Sequence, residues 1–259
     1  MNDLKNWISQ KIRDFFFSRG YSIGKSPTLP FEQLRVFDLA VVALMRAKGK
    51  NLKFVQVGAN DGVYGDSISK YALKYPWQGL LVEPQPDVFE RLKNNYANAP
   101  GQMLFENAAI GASERRELVL YRSKPGQAAK DSYPSSVVSF RKDAVAGQLN
   151  LGAMQLEEFK VPCMPLDDLL KKHQWSQIDL LLIDTEGLDY EVLKSVSLKT
   201  YTPLIIQFEH GHLSPSEINS AVQYLAKHGY QILYGSRYLD TLALHSSIWS
   251  FLDIKIPAL

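Results

Sequence analysis

From residue 53 onwards, short apolar runs alternate with longer segments that carry apolar residues at helical spacing. Residues 66–74, 86–97 and 214–228 are such segments, and they predict amphipathic helices. Apolar strands separated by helices are typical of a parallel sheet that is covered on both faces. The pattern therefore predicts an α/β fold. The predicted strands are KFVQVG, GLLVEP, MLFENAAIG, IDLLLIDTEG, PLIIQFEH, GYQILYG and TLALH.

The first 50 residues lie outside this alternation. Residues 4–17 place Leu, Trp, Ile and Phe side chains at helical spacing, and residues 31–47 predict a second helix. We therefore expect a helical extension over residues 1–50. In the interpretation that we favour, the first helix packs on the main domain or on a partner chain. Its basic faces leave open the alternative that it lies on an anionic membrane.

The rest of the chain, residues 51–259, is expected to form the main domain, but one insert interrupts its rhythm. This insert covers about residues 113–165. Within it, ELVLYRS and KVPCMP predict extra strands, and residues 125–152 predict a long loop.

The composition suits one globular domain with a full core. The 259 residues are 46% hydrophobic and 22% charged, and the net charge is only +2. Because the chain lacks the Lys/Arg blocks of a dedicated nucleic-acid binder, we expect no nucleic-acid partner. No apolar stretch approaches the roughly 20 residues that span a bilayer, and the N-terminus lacks the layout of a signal peptide. The single cysteine, Cys163, fits a reducing compartment, and we expect a cytoplasmic protein.

The sequence FVQVGANDGVYGD, from Phe54 to Asp66, predicts a strand that ends in a glycine turn. Gly58 and Gly62 fall where a ligand lies in doubly wound sheets, beyond the carboxyl end of a strand. The turn lacks the G-x-G-x-x-G spacing that places a pyrophosphate on a helix N-terminus. Its Asn and Asp residues instead favour a ligand with a cationic end. A plain turn without a ligand explains the spacing about equally well.

The next two predicted strands add polar groups at the same edge of the sheet. Glu83 follows the second strand, where a carboxylate can accept both hydroxyls of a ribose. Asn107 follows the third strand and precedes small residues, as a turn beside an adenine requires. Together these features describe a nucleoside ligand without a pyrophosphate. S-adenosylmethionine fits this description, and NAD is the competitor that the missing third glycine disfavours.

On these and later motifs, the chain resembles the FkbM-type S-adenosylmethionine-dependent methyltransferases over roughly residues 53–245. The resemblance implies a class I methyltransferase (Rossmann-like) fold, which has a seven-stranded, mostly parallel sheet with one reversed strand near its end. It also implies O-methylation of hydroxyls on sugars, glycans or related small molecules. The motifs that carry it are FVQVGANDG, LLVEPQPDVFERL, ENAAIG, VPCMPLDDLL, IDLLLIDTEGLDYEVLKSV and PLIIQFEHGHLS.

The resemblance also implies cofactor-binding positions. Glu83 would hold the ribose, and Asn107 and Ala108 would flank the adenine. The turn after the first strand would wrap the methionine end of the cofactor. Its residues are Gly58, Ala59, Asn60, Asp61 and Gly62.

Methyl transfer to a hydroxyl also requires that a proton be removed, and two strand ends offer the groups for this step. Asp184 follows the fourth predicted strand, and Glu209, His210 and His212 follow the fifth. In one scheme, Asp184 and Glu209 hold Mg²⁺, which lowers the pKa of the hydroxyl. In the other, a histidine takes the proton and a carboxylate orients it. We favour the metal-free scheme slightly.

Two alternatives stay open from the residues alone. Asp184 could instead cap the helix that follows it, and Asp189 could serve that purpose equally well. The whole chain could also be a non-catalytic nucleotide-binding or scaffold protein of the same fold. We predict an O-methyltransferase, with a small-molecule or glycan acceptor.

Overall fold

The computed structural model of the protein describes residues 36–63, 65–123, 138–142, 145–146, 156–234 and 240–248. The chain divides into two compact units, Met1–Arg35 and Val36–Leu259, and every described residue belongs to the second. The predicted helix at residues 4–17 and most of the predicted loop at residues 125–152 lie outside the described residues.

Seven described segments are helical and eleven are strands. The helices are α1 (Val36–Lys48), α2 (Ser69–Ala72), α3 (Pro86–Asn95), α4 (Leu166–Lys172), α5 (Asp189–Lys194), α6 (Leu198–Tyr201) and α7 (Pro215–Lys227). The strands are β1 (Lys53–Val57), β2 (Gln78–Val82), β3 (Met103–Glu106), β4 (Ala109–Ile110), β5 (Glu117–Ser123), β6 (Val138–Ser139), β7 (Leu156–Met164), β8 (Leu180–Ile183), β9 (Ile205–Glu209), β10 (Tyr230–Tyr234) and β11 (Asp240–His245).

The main sheet has seven strands in the order β10-β11-β9-β8-β1-β2-β3. Neighbouring strands are parallel except where β11 lies between β9 and β10, because β11 runs antiparallel to both. The prediction of a mostly parallel seven-stranded sheet with one reversed strand near its end is confirmed. This order brings the carboxyl ends of β1, β2, β8 and β9 to one edge of the sheet.

Both faces of the sheet are buried, which explains why its strands are apolar almost throughout. On one face, alternate strand residues such as Phe54 and Leu182 pack with α1, α2 and α3. On the other face, residues such as Val55 and Ile183 pack with α4, α5 and α7. Apolar residues at alternate positions of the strands and at helical spacing in the helices thus form two cores, one on each face of the sheet.

The insert contributes a second, four-stranded sheet in the order β4-β7-β5-β6. The two extra strands that ELVLYRS and KVPCMP predict are β5 and β7, and they pair antiparallel over seven residues. Arg122 on β5 contacts Asp87 at the start of α3, so the small sheet is tied to the helix that follows β2.

Helix boundaries follow local capping chemistry. Ser214 and Glu217 form a capping box at the start of α7, close to the predicted boundary. The helix predicted at residues 66–74 is shorter in the structure, at Ser69–Ala72. Its shortening has a cause, since the Asp66 carboxylate accepts hydrogen bonds from the backbone N–H groups of Ile68 and Ser69 and holds residues 66–68 as a turn.

Across the part of the chain that the structure describes, no helix is both long enough and apolar enough to cross a membrane.

Candidate active site

Gly58 ends β1 with a left-handed backbone, at a φ of 78°. Its N–H donates to the Val82 carbonyl at 3.0 Å, which joins the ends of β1 and β2. A Cβ atom at this position would lie 1.7 Å from the carbonyl oxygen of Asp184. The glycine is therefore required because the ends of β1 and β8 touch here, whether or not a ligand is bound.

The rest of the glycine turn is held against α3. Gly62 also has a positive φ, and a Cβ there would lie 2.4 Å from the ring of Tyr96. Asn95 donates from its side-chain amide to the carbonyl oxygen of Asp61 at 2.8 Å. Asn60 adopts a φ of 49°, a conformation that asparagine tolerates better than most residues. These contacts fix the shape of the loop in the absence of a cofactor.

Glu83 lies directly beside this turn, at the end of β2. Its side chain is buried, with only 3% of the residue exposed. One carboxylate oxygen accepts the Asn60 N–H at 3.0 Å, and the other accepts the Gln85 N–H at 2.9 Å. Burial raises the pKa of Glu83 to about 7. The Gln85 side chain also hydrogen-bonds this carboxyl.

Asn107 lies at the same edge of the sheet, after β3. Its amide donates to the backbone carbonyls of Glu83 and Pro84, at 2.8 and 3.1 Å. Ala108, the next residue, is buried. The glycine turn, the acid after β2 and the amide after β3 are thus brought together by direct hydrogen bonds.

A polar crevice opens between the ends of β1 and β8, the residues Gly65 and Ser67, Gln207 on β9 and the start of β11. It encloses about 380 Å³, part of it open to solvent. The side-chain amide of Gln56 donates to Asp66, and that of Gln207 donates to Asp240 at 2.9 Å. The Oε1 atoms of both glutamines are shielded from solvent and accept no hydrogen bond from the described residues. The crevice is lined by Gln56, Val57, Gly65, Ser67, Leu182, Ile183, Asp184, Gln207 and Asp240.

Asp184 stands at the wall of this crevice. Solvent reaches its side chain, yet the pKa of Asp184 is raised well above its ordinary value. The first cause is the desolvation that the surrounding protein imposes inside a concave site, and the second is repulsion by nearby carboxyls, led by that of Glu209. No side chain forms an N-cap hydrogen bond at the helix α5, so Asp184 does not cap it.

Glu186, Glu209 and His212 converge next to Asp184, at the ends of β8 and β9. Nε2 of His212 lies 2.9 Å from Oε2 of Glu186 and 3.6 Å from Oε1 of Glu209. The shorter contact is close enough for an ion pair, although its geometry does not make Glu186 Oε2 a hydrogen-bond acceptor. The contact with Glu186 raises the pKa of His212 to about 9, so His212 is protonated at neutral pH. Burial, and then repulsion by Glu186, raises the pKa of Glu209.

Asp189 is fully buried behind this cluster and joins its two loops. Its Oδ2 atom accepts from the hydroxyl of Thr185 at 2.9 Å and from the N–H of Gly187 at 3.3 Å. Its Oδ1 atom accepts from the N–H of Glu209 at 3.2 Å. Burial raises the pKa of Asp189 to about 6. Sequence reasoning considered this residue only as a helix cap, because a bond to the end of another strand has no local pattern.

Glu186 was also not selected from the sequence as a site residue. It has a left-handed backbone, at a φ of 53°, and its carbonyl accepts from the Ser139 hydroxyl at 2.9 Å. A non-glycine residue in this conformation is uncommon and persists only where its surroundings fix it. The signal that could have pointed to Glu186 is its place before Gly187 in the D-T-E-G turn.

The His210 side chain contacts a residue outside the cluster of Glu186, Glu209 and His212. Its Nδ1 atom lies 2.9 Å from the hydroxyl of Thr241 on β11. Burial lowers the pKa of His210, so its imidazole is neutral at pH 7. Of the four predicted catalytic residues, the structure therefore places Glu209 and His212 in one cluster. Asp184 and His210 lie at the adjoining strand ends.

The predicted metal pair, Asp184 and Glu209, stays a prediction. Among the described residues, a metal-type grouping is formed by Glu186, Glu209 and His212, whose ligand atoms lie within 4.8 Å of one another. Asp184 influences this group by its charge and is not a member of it.

Comparison with known proteins adds three findings. The sequence matches the family described as the methyltransferase FkbM domain over residues 56–232. No curated protein matches the sequence. Among solved structures, a methyltransferase FkbM from Methylobacillus flagellatus KT is similar at 15% identity and a TM-score of 0.47, covering 76% of this chain. This chain spans only 44% of that protein's length.

Two further solved structures resemble the chain, with similarly low sequence identity and TM-score. The N-terminal domain of human METTL16, solved in complex with SAH, is 14% identical with a TM-score of 0.45, and the match covers 90% of this chain and 76% of that one. A ribosomal protein L11 methylase from Lactobacillus delbrueckii subsp. bulgaricus is 11% identical with a TM-score of 0.40, covering 86% and 90%.

Proposed function

The chain belongs to the FkbM methyltransferase family, and from this premise we propose that it transfers a methyl group from S-adenosylmethionine to a hydroxyl of a sugar, glycan or related small molecule. Family membership favours methyl transfer over the nicotinamide-dependent and non-catalytic alternatives. The choice of oxygen as the acceptor atom, and of a saccharide as the acceptor, rests on the resemblance and on the chemistry of the catalytic strand ends.

The crevice suits the cationic end of this cofactor. The Oε1 atoms of the buried Gln56 and the half-buried Gln207 accept no hydrogen bond from the described residues, and Asp184 adds a carboxyl beside them. A site built of acceptors needs a ligand that donates, and the α-ammonium group of the methionine moiety is such a donor. Glu83 would accept from the ribose hydroxyls, and Asn107 and Ala108 would flank the adenine. When bound, the cofactor supplies an electrophilic methyl group on a sulfonium.

The residues of the chain would then position the acceptor and remove its proton. His210 is the histidine suited to act as the base, because it is neutral at pH 7 while His212 carries a proton that Glu186 stabilises. The contact with Thr241 holds the His210 ring from its Nδ1 side. The observation that carries the proposal is the presence of a polar crevice and a carboxylate cluster at the edge of the sheet that also bears the glycine turn.

The decisive experiment measures S-adenosylhomocysteine formation with a panel of sugars and glycans, followed by NMR of the product to locate the new methyl group. We expect an O-methyl product. Asp184→Ala is expected to abolish turnover while the fold survives, and His210→Ala to lower kcat by at least about 100-fold without changing the affinity for S-adenosylhomocysteine. Cofactor binding without turnover of any acceptor would favour the non-catalytic alternative, and an N-methyl product would exclude the oxygen acceptor.

A further inference from the structure

Glu186, Glu209 and His212 bring two carboxylates and one imidazole to a single point, with their ligand atoms within 4.8 Å of one another. We infer that these three side chains bind a divalent cation of the Mg²⁺ or Mn²⁺ class. The inference deepens the proposed function, since it places the cation where the acceptor hydroxyl would lie, but the site can be tested without turnover.

One shielded oxygen atom is the first observation that points to a ligand. Oε2 of Glu209 is hidden from solvent and accepts no hydrogen bond from the described residues, whereas Oε2 of Glu186 lies 2.9 Å from Nε2 of His212. The Glu209 side chain is only 16% exposed. A carboxylate oxygen that is buried without a donor carries an uncompensated desolvation cost. A cation between the two glutamates would compensate the Glu209 oxygen.

The charge around this point is the second observation. The groups that act most strongly on Glu209 include the carboxyls of Glu186, Asp189 and Asp240, against the one imidazole of His212. Asp184 is repelled by the same carboxyls. Close like charges that the fold holds together are destabilising unless a counter-charge binds among them. A divalent cation supplies that counter-charge.

The donor set indicates which cations fit. Carboxylate oxygens suit the hard cations Mg²⁺ and Mn²⁺. The imidazole of His212 becomes a ligand for Mn²⁺ when the bound cation displaces its proton. Three protein ligands leave coordination positions for water or for a substrate hydroxyl, as in catalytic metal sites. A cation so placed would lower the pKa of a bound hydroxyl and would assist the base rather than replace it.

The ligands are also held in place before any cation arrives. Asp189 fixes the backbone on both sides of the cluster through Gly187 and Glu209. Ser139 holds the carbonyl of Glu186. Support of this kind behind the ligands is what a metal site requires for affinity, because it orients the ligand side chains.

The test is a titration of the metal-free full chain with Mn²⁺, followed by EPR of the free ion and without cofactor or acceptor. We expect one bound Mn²⁺ that Mg²⁺ displaces. Glu186→Gln and Glu209→Gln should each weaken Mn²⁺ binding by at least about tenfold, because each removes a charged ligand. The matched control is Glu90→Gln, the same chemical change on the exposed face of α3, and it should leave Mn²⁺ binding unchanged. Circular dichroism verifies that each variant is folded.

Equal Mn²⁺ binding by the wild type and both cluster variants, or no binding by the wild type, would overturn the inference. Turnover measured in EDTA and in Mg²⁺ then distinguishes a failure of the cation site from a failure of the proposed function. Undiminished methyl transfer in EDTA, with no Mn²⁺ binding, rejects the cation site and leaves the methyltransferase intact. Mn²⁺ binding that depends on Glu186 and Glu209, with no methyl transfer to any acceptor, supports the cation site and rejects the proposed reaction.

Discussion

The two halves of the ligand-facing sheet edge differ in how their polar groups are satisfied. In the turns that follow β1, β2 and β3, the carboxylates and amides that we assign to the cofactor bond to the backbone, as Glu83 does to Asn60 and Gln85. At the ends of β8 and β9, carboxyls repel one another, and Oε2 of Glu209 accepts no hydrogen bond from the described residues. The first half, which we call the cofactor half, holds its own fold together. In the second half, which we call the catalytic half, repulsion between the carboxyls destabilises the folded protein.

This difference predicts opposite consequences for substitutions in the two halves. In the cofactor half, a change should cost stability together with affinity, because the same atoms serve both. In the catalytic half, removal of a charge should cost activity while stability is kept or increased, which is the usual trade between stability and function at an active site.

The largest effect is expected for Gly58→Ala in the cofactor half. The new Cβ would lie 1.7 Å from the carbonyl oxygen of Asp184, so the ends of β1 and β8 would have to separate. We expect a loss of at least about 4 kcal/mol in the free energy of unfolding, measured by urea denaturation. Gly49→Ala is the matched control, because Gly49 has a φ of 88° but no atom within 4 Å of an added Cβ. It should lose only about 1–2 kcal/mol. Equal losses in the two variants would contradict the close contact.

An intermediate effect is expected for Glu83→Ala, which leaves the N–H groups of Asn60 and Gln85 without their acceptor. We expect a loss of about 2–4 kcal/mol in stability and about tenfold weaker binding of S-adenosylhomocysteine, measured by denaturation and calorimetry.

The pH dependence of this variant gives a sharper result. The folded pKa of Glu83, about 7, lies above its ordinary value of 4.5. Its contribution to stability is therefore fully present below pH 4.5 and is lost as the pH rises through about 7. The stability loss in Glu83→Ala should be larger at pH 5 than at pH 8. The same loss at both values would refute a raised pKa, and unchanged cofactor affinity would refute the ribose role.

The smallest effect, with the opposite sign, is expected for Glu209→Gln in the catalytic half. Burial and Glu186 raise the pKa of Glu209 to about 8, so the ionised form is unfavourable in the folded protein. With EDTA present, the variant should be about 1 kcal/mol more stable than the wild type at pH 8.5 and no more stable at pH 5, where the wild-type carboxyl is protonated in the fold.

Glu217→Gln serves as the contrast for this prediction. Hydrogen bonds from Ser214 lower the pKa of Glu217, so its charge is favourable in the fold and the neutral variant should lose stability at pH 8.5. If Glu209→Gln also loses stability at that pH, the catalytic half is not strained by its own charges.

Much of the fold could be predicted because its periodicities are local. The buried strands and α3 and α7 fall close to where the apolar spacing predicts them. The pairing of β5 with β7 could not be predicted, because residues 124–155 separate these strands in sequence and the strands meet in a separate sheet. The helix after β1 is shorter than predicted because Asp66 satisfies the backbone donors of the turn before it.

Site residues could be predicted only where the end of a strand determines their position in the fold. The placement of Gly58, Glu83 and Asn107 follows from the parallel order of β1, β2 and β3. The grouping of Glu186 with His212, rather than of Asp184 with Glu209, depends on a left-handed residue and on the bonds of Asp189. Such contacts join residues distant in sequence and leave no periodic signal. Neither the grouping of Glu186 with His212 nor the bonds of Asp189 were therefore predicted.

The place of β11 has a consequence for how the protein is made. This strand lies between β9 and β10 although the ribosome synthesises it after both. Until residues 240–245 emerge, the nascent chain carries Glu209 on a strand with one unpaired flank, and β10 has no partner in the main sheet. An unpaired flank of this kind invites association with other chains, so the newly made polypeptide depends on late closure of its sheet or on a chaperone that shields it.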